Sequence, residues 1–334
     1  MASAKITSRS DNPVPRKGAV WRFLVSVIVA CSVVLILFTA CGFFGRQWWR
    51  FEQLSHFRVQ YFWLLTAAAA MLFVARRRRL GVAAVAAALI NGVLIAPIYL
   101  PVDRPAPGGE SLRLIAYNVL GRNQRHEEVL DFLRRQHADV VLLMEVQPHW
   151  ANRIETLRNL YPHQHIVSRR DNFGIALLSK VAWRDVHTAE FGSSEVPTVI
   201  ATFDLDRETW LFVGTHPVPP GSAGAAAARN EQLALIADFI KKQRSPTILA
   251  GDLNLTSFSP YFGDILRTCG LRDSRQGFGV RASWAPRLPL LDLPLDHCLV
   301  SREWHVVDRS VGPHLGSDHR PILVELCWAE KSDR

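Results

Sequence analysis

Cysteine is scarce in this 334-residue chain. Only five cysteines are present, and their spacing matches no metal-binding pattern, so a thiolate metal centre is not expected. Three of them, Cys269, Cys298 and Cys327, lie outside the apolar N-terminal third and allow at most one internal disulfide bridge. A fold stapled by several bridges is therefore excluded, and we expect these cysteines to be small buried apolar residues.

Acidic residues are scarce in the first 110 positions, which hold 4 of them against 13 lysines and arginines. Residues 111–334 hold 26 residues of each sign, so the net charge of +9 belongs to the N-terminal region. Nucleic-acid binding usually depends on a basic surface that neutralises phosphates. A neutral C-terminal region still has room for a local basic patch, but its bulk charge gives no support for DNA as a substrate.

Long apolar runs are concentrated before residue 101 and predict three membrane helices, at about Phe23–Phe44, His56–Ala75 and Leu80–Leu100. Each run approaches the ~20 residues that a helix needs to cross a bilayer. Arg58, near the start of the second run, is expected to reach the headgroups. Basic residues precede the first run, and Arg76–Arg79 separate the second from the third. The positive-inside rule keeps both basic clusters in the cytoplasm. We therefore expect a multi-pass protein of the cytoplasmic membrane with an extracytoplasmic domain.

These patterns divide the chain into five parts. They are a basic cytoplasmic N-terminus (1–22), a three-helix transmembrane anchor (23–100), a linker (101–110), a C-terminal domain (111–328) and a tail (329–334). Cleavage or lipidation of the first apolar run is the weaker alternative, because its apolar core is longer than the usual core of a signal peptide.

Residues 111–328 alternate between short apolar runs and segments with helical spacing, which is typical of an α/β domain with a substantial sheet core. The apolar runs predict eight strands: Leu112–Val119, Ala138–Val146, Gly174–Ser179, Thr198–Leu205, Trp210–Thr215, Thr247–Ala250, His297–Ser301 and Pro321–Leu326. The predicted helices are Glu127–His137, Ala226–Lys242 and Tyr261–Cys269. The small-residue segment Gly221–Ala228 is expected to be a mobile loop that leads into the second of these helices, with a substrate-gating loop as the alternative.

Polar side chains recur at the ends of the predicted strands. A carboxylate that follows four or five apolar residues is held at the rim of a sheet, partly desolvated, where a metal ligand or general base needs to be. Oxygen ligands suit Mg²⁺, with Mn²⁺ or Ca²⁺ as alternatives, better than zinc. One such residue alone is a weak signal, because a strand-ending aspartate is more often a turn former. Together the candidates are strong: Asn118, Glu145, His216, Asp252, Asn254, Asp296, Asp318 and His319.

The order of these residues resembles the endonuclease/exonuclease/phosphatase superfamily over about residues 112–327. The blocks Gly251–Asn254 (Gly-Asp-Leu-Asn) and Gly316–Pro321 (Gly-Ser-Asp-His-Arg-Pro) are the most specific motifs, and Gly174–Ser179 also looks like a family block. The superfamily includes exonuclease III-like enzymes, DNase I, neutral sphingomyelinases and inositol polyphosphate 5-phosphatases. The resemblance implies a four-layer α-β-β-α sandwich, a site at one edge of its two sheets, and metal-dependent hydrolysis of a phosphate ester.

The resemblance also implies roles for the acidic and amide residues. Glu145 should bind the metal, helped by Asn118 and Asp318. Asp252 should orient or deprotonate the attacking water, with Asn254 beside it. The chemistry agrees, because in-line attack on phosphorus needs a cation against developing charge, a positioned water and help for the leaving group.

The histidines should serve the phosphate and the leaving group. By the same resemblance, His319, paired with Asp296, should hydrogen-bond a phosphate oxygen. His216 matches the second histidine of the DNase I and sphingomyelinase branches and should protonate the leaving oxygen. His297 either joins the site or begins its strand, and Arg229 either reaches phosphate or is a solvated helix residue.

The substrate is less constrained than the reaction. Little sequence separates the motifs, so long DNA-inserting loops are not expected, and a domain tethered above a bilayer meets lipid headgroups at high effective concentration. Three spans before an external domain resemble bacterial membrane proteins of this superfamily linked to teicoplanin resistance, for which lipid-carrier pyrophosphates are the proposed substrates. The leading hypothesis is a lipid-linked phosphate ester. A nuclease and an inactive headgroup-binding module are the alternatives, and no obligate protein partner is inferred.

Overall fold

The computed structural model describes residues 17–101, 110–205, 208–286 and 289–328. The predictions for the chain up to residue 16, for the linker from 102 to 109 and for the tail from 329 lie outside the described residues. The described part consists of an N-terminal group of helices, residues 17–101, here called the anchor, and an α/β domain that starts at residue 110.

The anchor contains four mostly apolar helices. They are α1 (Lys17–Cys41), α2 (Trp49–Ser55), α3 (Arg58–Val74) and α4 (Arg78–Ile95). Among the described residues, α1 and α4, each with a following 3₁₀ turn, are long and apolar enough to cross a membrane. α2 and α3 meet at 64°, and a third candidate span is present if this bent pair counts as one.

Arg58 does not reach the headgroup level as the sequence suggested. It is 2% exposed inside the anchor, where it donates hydrogen bonds to Thr39 O (2.8 Å) and Asn91 Oδ1 (3.3 Å). Its guanidinium also lies 4.4 Å from the centre of the Phe43 ring. The prediction was wrong because these acceptors and the aromatic face come from other helices, and a sequence pattern does not reveal them.

The described part of the α/β domain contains two six-stranded mixed sheets. The first sheet is built from β1 (Ser111–Asn118), β2 (Val140–Met144), β3 (His163–Val167), β4 (Ile175–Ser179), β11 (Trp304–Val311) and β12 (Ile322–Trp328). The second is built from β5 (Trp183–Glu190), β6 (Pro197–Leu205), β7 (Glu208–Thr215), β8 (Thr247–Asp252), β9 (Arg272–Asp273) and β10 (Asp296–Val300). The spatial orders are β11-β12-β1-β2-β4-β3 and β5-β6-β7-β8-β10-β9. The pairs β1–β2 and β7–β8 are parallel.

The domain has four layers. The two sheets pack face to face across an apolar core that includes Leu142, Phe212 and Cys298. A second core lies between the first sheet and its helices, and a third between the second sheet and its helices. The outer helices are α5 (His126–Gln136) and α6 (Pro148–Ile154) on the first sheet, and α7 (Ala223–Gln243) and α8 (Pro260–Cys269) on the second. The predicted α-β-β-α sandwich is therefore confirmed. Central strands are buried on both faces, which explains their continuous apolar runs.

The eight predicted strands correspond to β1, β2, β4, β6, β7, β8, β10 and β12, and the three predicted helices to α5, α7 and α8. β3, β5, β9 and β11 were missed. The segment Gly221–Ala228 needs a correction, because α7 already begins at Ala223. The Ser222 hydroxyl caps this helix by accepting a hydrogen bond from Ala225 N (3.1 Å). The high helix propensity of alanine extends the helix into the segment expected to be mobile.

The anchor packs directly against the α/β domain. Arg46 forms a two-pronged ion pair with Asp264 of α8, with both nitrogen–oxygen distances at 2.8 Å. Next to the linker, Ile98 O accepts hydrogen bonds from Gly277 N (3.0 Å) and Gly279 N (3.1 Å). The domain is thus held at a defined place on the anchor.

Candidate active site

The ends of the parallel strand pairs carry most of the predicted site. Asn118 ends β1, Glu145 follows β2, His216 follows β7 and Asp252 ends β8. Since β1 runs parallel to β2 and β7 to β8, each pair delivers its polar residues to one end. Asp296 opens β10 and stands opposite Asp252 in the antiparallel ladder. The face-to-face packing of the sheets brings these residues to one edge of the sandwich.

Several residues at these strand ends have a positive φ. The values are +61° at Glu145, +52° at Asn254 and +146° at Gly251. Positive φ is uncommon for residues other than glycine, and such strain concentrates at functional sites. At Gly251, a Cβ atom would stand 1.8 Å from the Thr215 carbonyl oxygen. Only glycine therefore lets β8 approach β7 this closely beside His216.

Asn118 joins the two carboxylates at the centre of the site. Its Nδ2 donates to Glu145 Oε1 (3.0 Å) and Asp252 Oδ2 (3.2 Å), and its Oδ1 accepts from Leu120 N (3.1 Å). The other Glu145 oxygen accepts from Gly121 N (3.0 Å). The assignment of Asn118 as a metal ligand stays a prediction, because its Oδ1 accepts one hydrogen bond and has two lone pairs. Its amide nitrogen, a donor, holds two carboxylates that would otherwise repel each other.

Asp252 lies between two imidazoles. Its Oδ2 is 3.5 Å from His216 Nε2 and 3.4 Å from His319 Nε2, and its Oδ1 accepts from Asn254 N (3.0 Å). Burial raises the pKa of Asp252, but the charge of His319 and the hydrogen bond from His216 outweigh it, so the net direction is downward. An ionised, buried carboxylate flanked by two imidazoles is suited to orient a water molecule and accept its proton.

His319 and Asp296 form a hydrogen-bonded pair next to Asp252, with His319 Nδ1 2.8 Å from Asp296 Oδ2. Burial lowers the pKa of His319, but the charges of Asp296 and Asp252 outweigh it and raise the pKa to about 10. For His216, burial likewise lowers the pKa, while the hydrogen bond and charge of Asp252 raise it, with a net upward direction. Both shifts favour the imidazolium form, which donates hydrogen bonds from both ring nitrogens.

These side chains face an open cavity of about 410 Å³. From the predicted set it is lined by Asn118, Glu145, His216, Asp252, Asn254 and His319. Sequence reasoning missed four lining residues: Asp171, Asn172, Phe173 and Pro219. The first three form the loop directly before the Gly174–Ser179 block, and the Phe173 and His216 ring centroids are 5.8 Å apart. The polar run that precedes this apolar strand was the signal that could have found the loop.

Two predicted residues are not part of the cavity lining. Asp296 is fully buried and reaches the site through His319. Asp318 Oδ2 accepts a hydrogen bond from Trp284 Nε1 (3.2 Å), and its Oδ1 is buried without a hydrogen-bond partner among the described residues. The structure does not place Asp318 in the cavity lining beside Glu145, so its role as a ligand stays a prediction.

The two open alternatives are resolved differently. His297 is fully buried, and its Nε2 lies 2.8 Å from Leu255 O, so it begins its strand and does not line the cavity. Burial and the charge of Arg275 lower the pKa of His297 to about 3, which keeps it neutral. Arg229 neither lines the cavity nor meets solvent, because it is fully buried against Glu52 of the anchor. Both expectations for Arg229 were wrong.

A family model matches this arrangement. The model of the endonuclease/exonuclease/phosphatase family covers residues 115–319, which is most of the α/β domain and more than half of the chain. The chain belongs to this family. Members of the endonuclease/exonuclease/phosphatase family are metal-dependent hydrolases of phosphate esters, and some are inactive.

Solved structures share the fold at low sequence identity. TDP2 from D. rerio, complexed with single-strand DNA product, is 17% identical with a TM-score of 0.56 and covers 65% of this chain and 99% of its own. Truncated TDP2 from Caenorhabditis elegans is 16% identical with a TM-score of 0.55, at 65% and 98% coverage. An endonuclease/exonuclease/phosphatase from Beutenbergia cavernae is 19% identical with a TM-score of 0.55, at 66% and 72% coverage. No curated protein matches this chain. At such identities, the likeness shows the fold alone.

The donor set of the cavity fits the divalent metal of the endonuclease/exonuclease/phosphatase family. Glu145 and Asp252 contribute carboxylates, and no lysine or arginine lines the cavity among the described residues. Each Glu145 oxygen accepts one hydrogen bond and has a second lone pair, which is the kind of oxygen donor that Mg²⁺ prefers. Asp252, Asp296 and His319 also place ligand atoms within 4.8 Å of one another. That cluster is the weaker candidate, because both His319 nitrogens face carboxylates.

Proposed function

We propose that this protein is a membrane-anchored, metal-dependent hydrolase that cleaves a phosphate ester carried on a lipid, on the outer side of the cytoplasmic membrane. The observation that carries the proposal is the convergence of Glu145, Asp252, His216 and His319 on one cavity. This cavity combines a cation-binding carboxylate, a general base and two imidazolium donors, which is the set that hydrolysis of a phosphate ester needs.

Each group then has one task. Asp252 orients the attacking water and accepts its proton, and the His319 Nε2–H donates to a phosphate oxygen. The His216 imidazolium gives its proton to the leaving oxygen, so the reaction is balanced in protons. Asn118 keeps the carboxylates of Glu145 and Asp252 in register. When bound at Glu145, Mg²⁺ supplies positive charge against the charge that develops on the phosphate.

A second cavity supports a lipid as the carrier of the phosphate. It measures about 280 Å³ and lies between α3 and the described segments 280–286 and 289–294, with Trp63, Leu64 and Leu290 in its lining. Trp63 is 66% and Leu290 64% exposed, so an apolar strip faces outward where the anchor meets the domain. The first of these segments carries Trp284, which pairs with His319 of the active site. Exposed apolar surface next to a candidate span suits hydrocarbon chains better than nucleic acid.

The arrangement of charges supports the outer side. Arg76–Arg79 lie beside the first half of α1, where they line a cavity of about 680 Å³ together with Val25 and Ala30. The α/β domain contacts the segments that follow α1 and α4, through Arg46 and Ile98, and also Glu52 of α2. The basic cluster and the catalytic domain therefore occupy opposite ends of the anchor, and the positive-inside rule assigns the basic end to the cytoplasm.

The test uses the full chain in lipid nanodiscs with Mg²⁺, against an isoprenyl pyrophosphate, phospholipids, and single-stranded and duplex DNA. We expect hydrolysis of a lipid substrate that stops with EDTA and in Asp252→Asn and Glu145→Ala. Asp264→Asn, which alters an exposed carboxylate of α8, is the matched control and should retain full activity.

Three other results would contradict the proposal in different ways. Cleavage of DNA alone would make the protein a nuclease. Unchanged rates in both Asp252→Asn and Glu145→Ala would mean that the cavity is not the site. Binding of a headgroup without turnover of any substrate would make it an inactive binding module.

A further inference from the structure

The loop after β8, from Leu253 to Ser259, helps to shape the active-site cavity. Its residue Asn254 has a φ of +52° and lines the cavity. Asn254 N donates to Asp252 Oδ1 (3.0 Å), and Asn254 Nδ2 donates to Pro217 O (2.9 Å), next to His216. Asn254 thus links Asp252, the proposed base, to the segment that carries His216, the proposed acid. A left-handed asparagine keeps this conformation only while its surroundings impose it.

Arg229 stabilises the backbone of Asn254 by a hydrogen bond from the interior of the domain. Its side chain is fully buried on α7, and its Nη1 donates to Asn254 O (2.8 Å). Its Nη2 lies 2.6 and 2.5 Å from the two carboxylate oxygens of Glu52, which belongs to α2 of the anchor and is also fully buried. Glu52 Oε1 accepts a further bond from Ser259 Oγ (2.7 Å), at the far end of the loop. One anchor carboxylate therefore holds both ends of the loop, one directly and one through Arg229.

Two further bonds fix the middle of the loop. Leu255 O lies 2.8 Å from His297 Nε2 of β10, and Thr256 Oγ1 lies 3.0 Å from His56 Nδ1 of the anchor. Three consecutive residues, Asn254 to Thr256, are thus held by α7, by β10 and by the anchor. The contacts between the anchor and the loop join residues that are about 200 positions apart in the chain, and no sequence pattern predicts them.

We propose that Glu52 and Arg229 are positioning residues, through which the anchor sets the conformation of the Asp252 loop and completes the active-site cavity. A buried arginine that loses its carboxylate becomes an uncompensated charge, and it either reorients or draws in water. Either response loosens its bond to Asn254. The activity part of the inference rests on the proposed function, whereas its structural part does not.

The anchor offers a matched control in the Arg46–Asp264 pair. This pair also joins the anchor to the domain, but its side chains are 50% and 39% exposed and lie outside the loop. Removing it tests whether any loss of an anchor contact disturbs the cavity. Removing the charge of Glu52 tests the buried connection to the loop.

The experiment compares the full chain in nanodiscs with its Glu52→Gln, Glu52→Asp and Arg46→Gln variants. Hydrogen–deuterium exchange reports on residues 253–259, and Mg²⁺-dependent hydrolysis of bis(p-nitrophenyl) phosphate, a water-soluble diester, reports on the site. We expect Glu52→Gln to raise exchange in the loop and to lower kcat roughly 10- to 100-fold, as small misplacements of catalytic groups do, with KM little changed. Glu52→Asp keeps the charge and should recover part of kcat. Arg46→Gln should match the wild type in both measurements.

Unchanged loop exchange in a folded Glu52→Gln variant overturns the inference, and so does an equal increase in Arg46→Gln. If the wild type hydrolyses none of the esters, the proposed function fails, while the exchange comparison still decides the role of Glu52. If Glu52→Gln does not fold, Ser259→Ala replaces it. This variant removes the bond to Glu52 and also the N-cap bond that Ser259 Oγ accepts from Tyr261 N (3.2 Å), so exchange is read at residues 253–256, away from the start of α8. A smaller but measurable rise in loop exchange is then expected, and no rise at all overturns the inference.

Discussion

Two buried ionic clusters lie on either side of the loop after β8, and their charges are balanced differently. At the junction with the anchor, one carboxylate, Glu52, meets one guanidinium, Arg229, and both are fully buried. At the cavity, the carboxylates of Glu145, Asp252 and Asp296 lie near two histidines and no lysine or arginine of the described lining. A balanced pair fixes the geometry of its neighbours. At the cavity, the carboxylates are balanced by protonated imidazoles and, in the proposed function, by a bound cation. Such a cluster is typical of a catalytic site.

The largest expected effect comes from breaking the cavity cluster at its centre. Asp252→Asn removes the proposed proton acceptor and the charge that raises the pKa of His216 and, after the larger contribution of Asp296, the pKa of His319. We expect the hydrolysis rate to fall about 10³-fold, within the range for loss of general acid–base catalysis. The rate is measured with Mg²⁺ on the full chain, and an unchanged unfolding temperature verifies the fold. A fall of less than tenfold would assign the base to another residue.

The next largest effect comes from unbalancing the junction pair. Arg229→Met leaves the buried charge of Glu52 without its ion-pair partner, and the free energy of unfolding should fall by about 3–5 kcal/mol. The double variant Glu52→Leu with Arg229→Met buries no lone charge and should recover part of this loss. Both are measured by denaturation in detergent. Equal instability of the single and double variants would show that the hydrogen bonds of Arg229, and not its charge, carry the effect.

A smaller effect on stability is expected at a second buried ion pair, between Asp273 and Arg275. Arg275 Nη2 lies 2.7 Å from Asp273 Oδ2. Burial raises the pKa of Asp273, but the charge of Arg275 outweighs it and lowers the pKa from 3.8 to about 2. Because the pKa of Asp273 is lower in the folded state than in the unfolded state, the ion pair stabilises the fold fully above the ordinary pKa of 3.8. This stabilisation is lost as the pH falls toward about 2. The expected loss is about 2 kcal/mol. Thermal unfolding across this pH range measures it, and the slope should be shallower in Asp273→Asn.

The smallest effect is expected at the exposed Arg46–Asp264 pair. Surface ion pairs contribute little because water and salt screen them, so Arg46→Ala should change the free energy of unfolding by no more than about 1 kcal/mol. The same denaturation assay measures the change at low and high salt. A loss as large as that of Arg229→Met would mean that exposure does not separate the two anchor contacts.

The sequence predicted the central strands of both sheets and missed the edge strands. All eight predicted strands lie between other strands, whereas β3, β5, β9 and β11 are the four edges of the two sheets. β5 shows why, since its residues are half-buried or exposed and none is fully buried. Without a doubly buried apolar run, an edge strand has no signal that separates it from a loop. The missed helix α6 is seven residues long and too short for a helical repeat to stand out.

Within the site, prediction worked where a residue lies at the end of a strand and failed where tertiary contacts decide its role. Six of the eight candidates line the cavity, and Asp296 supports one of them. The hydrogen bonds by which Asn118 joins Glu145 to Asp252 were not foreseen, because they depend on tertiary contacts. Arg229 was misjudged for a similar reason. Its partner Glu52 lies 177 positions earlier in the chain, in a part read only as membrane anchor.

The two amide hydrogen bonds from Gly277 and Gly279 to the Ile98 carbonyl leave the α/β domain little freedom to tilt on the last candidate span. With the anchor in a bilayer, the mouth of the cavity then stands at a constant height above the lipid surface. Under the proposed function, we expect discrimination by depth as well as by chemistry. A phosphate at the matching level would be within reach of Asp252, and the same ester displaced along the membrane normal by the length of a longer stalk would not.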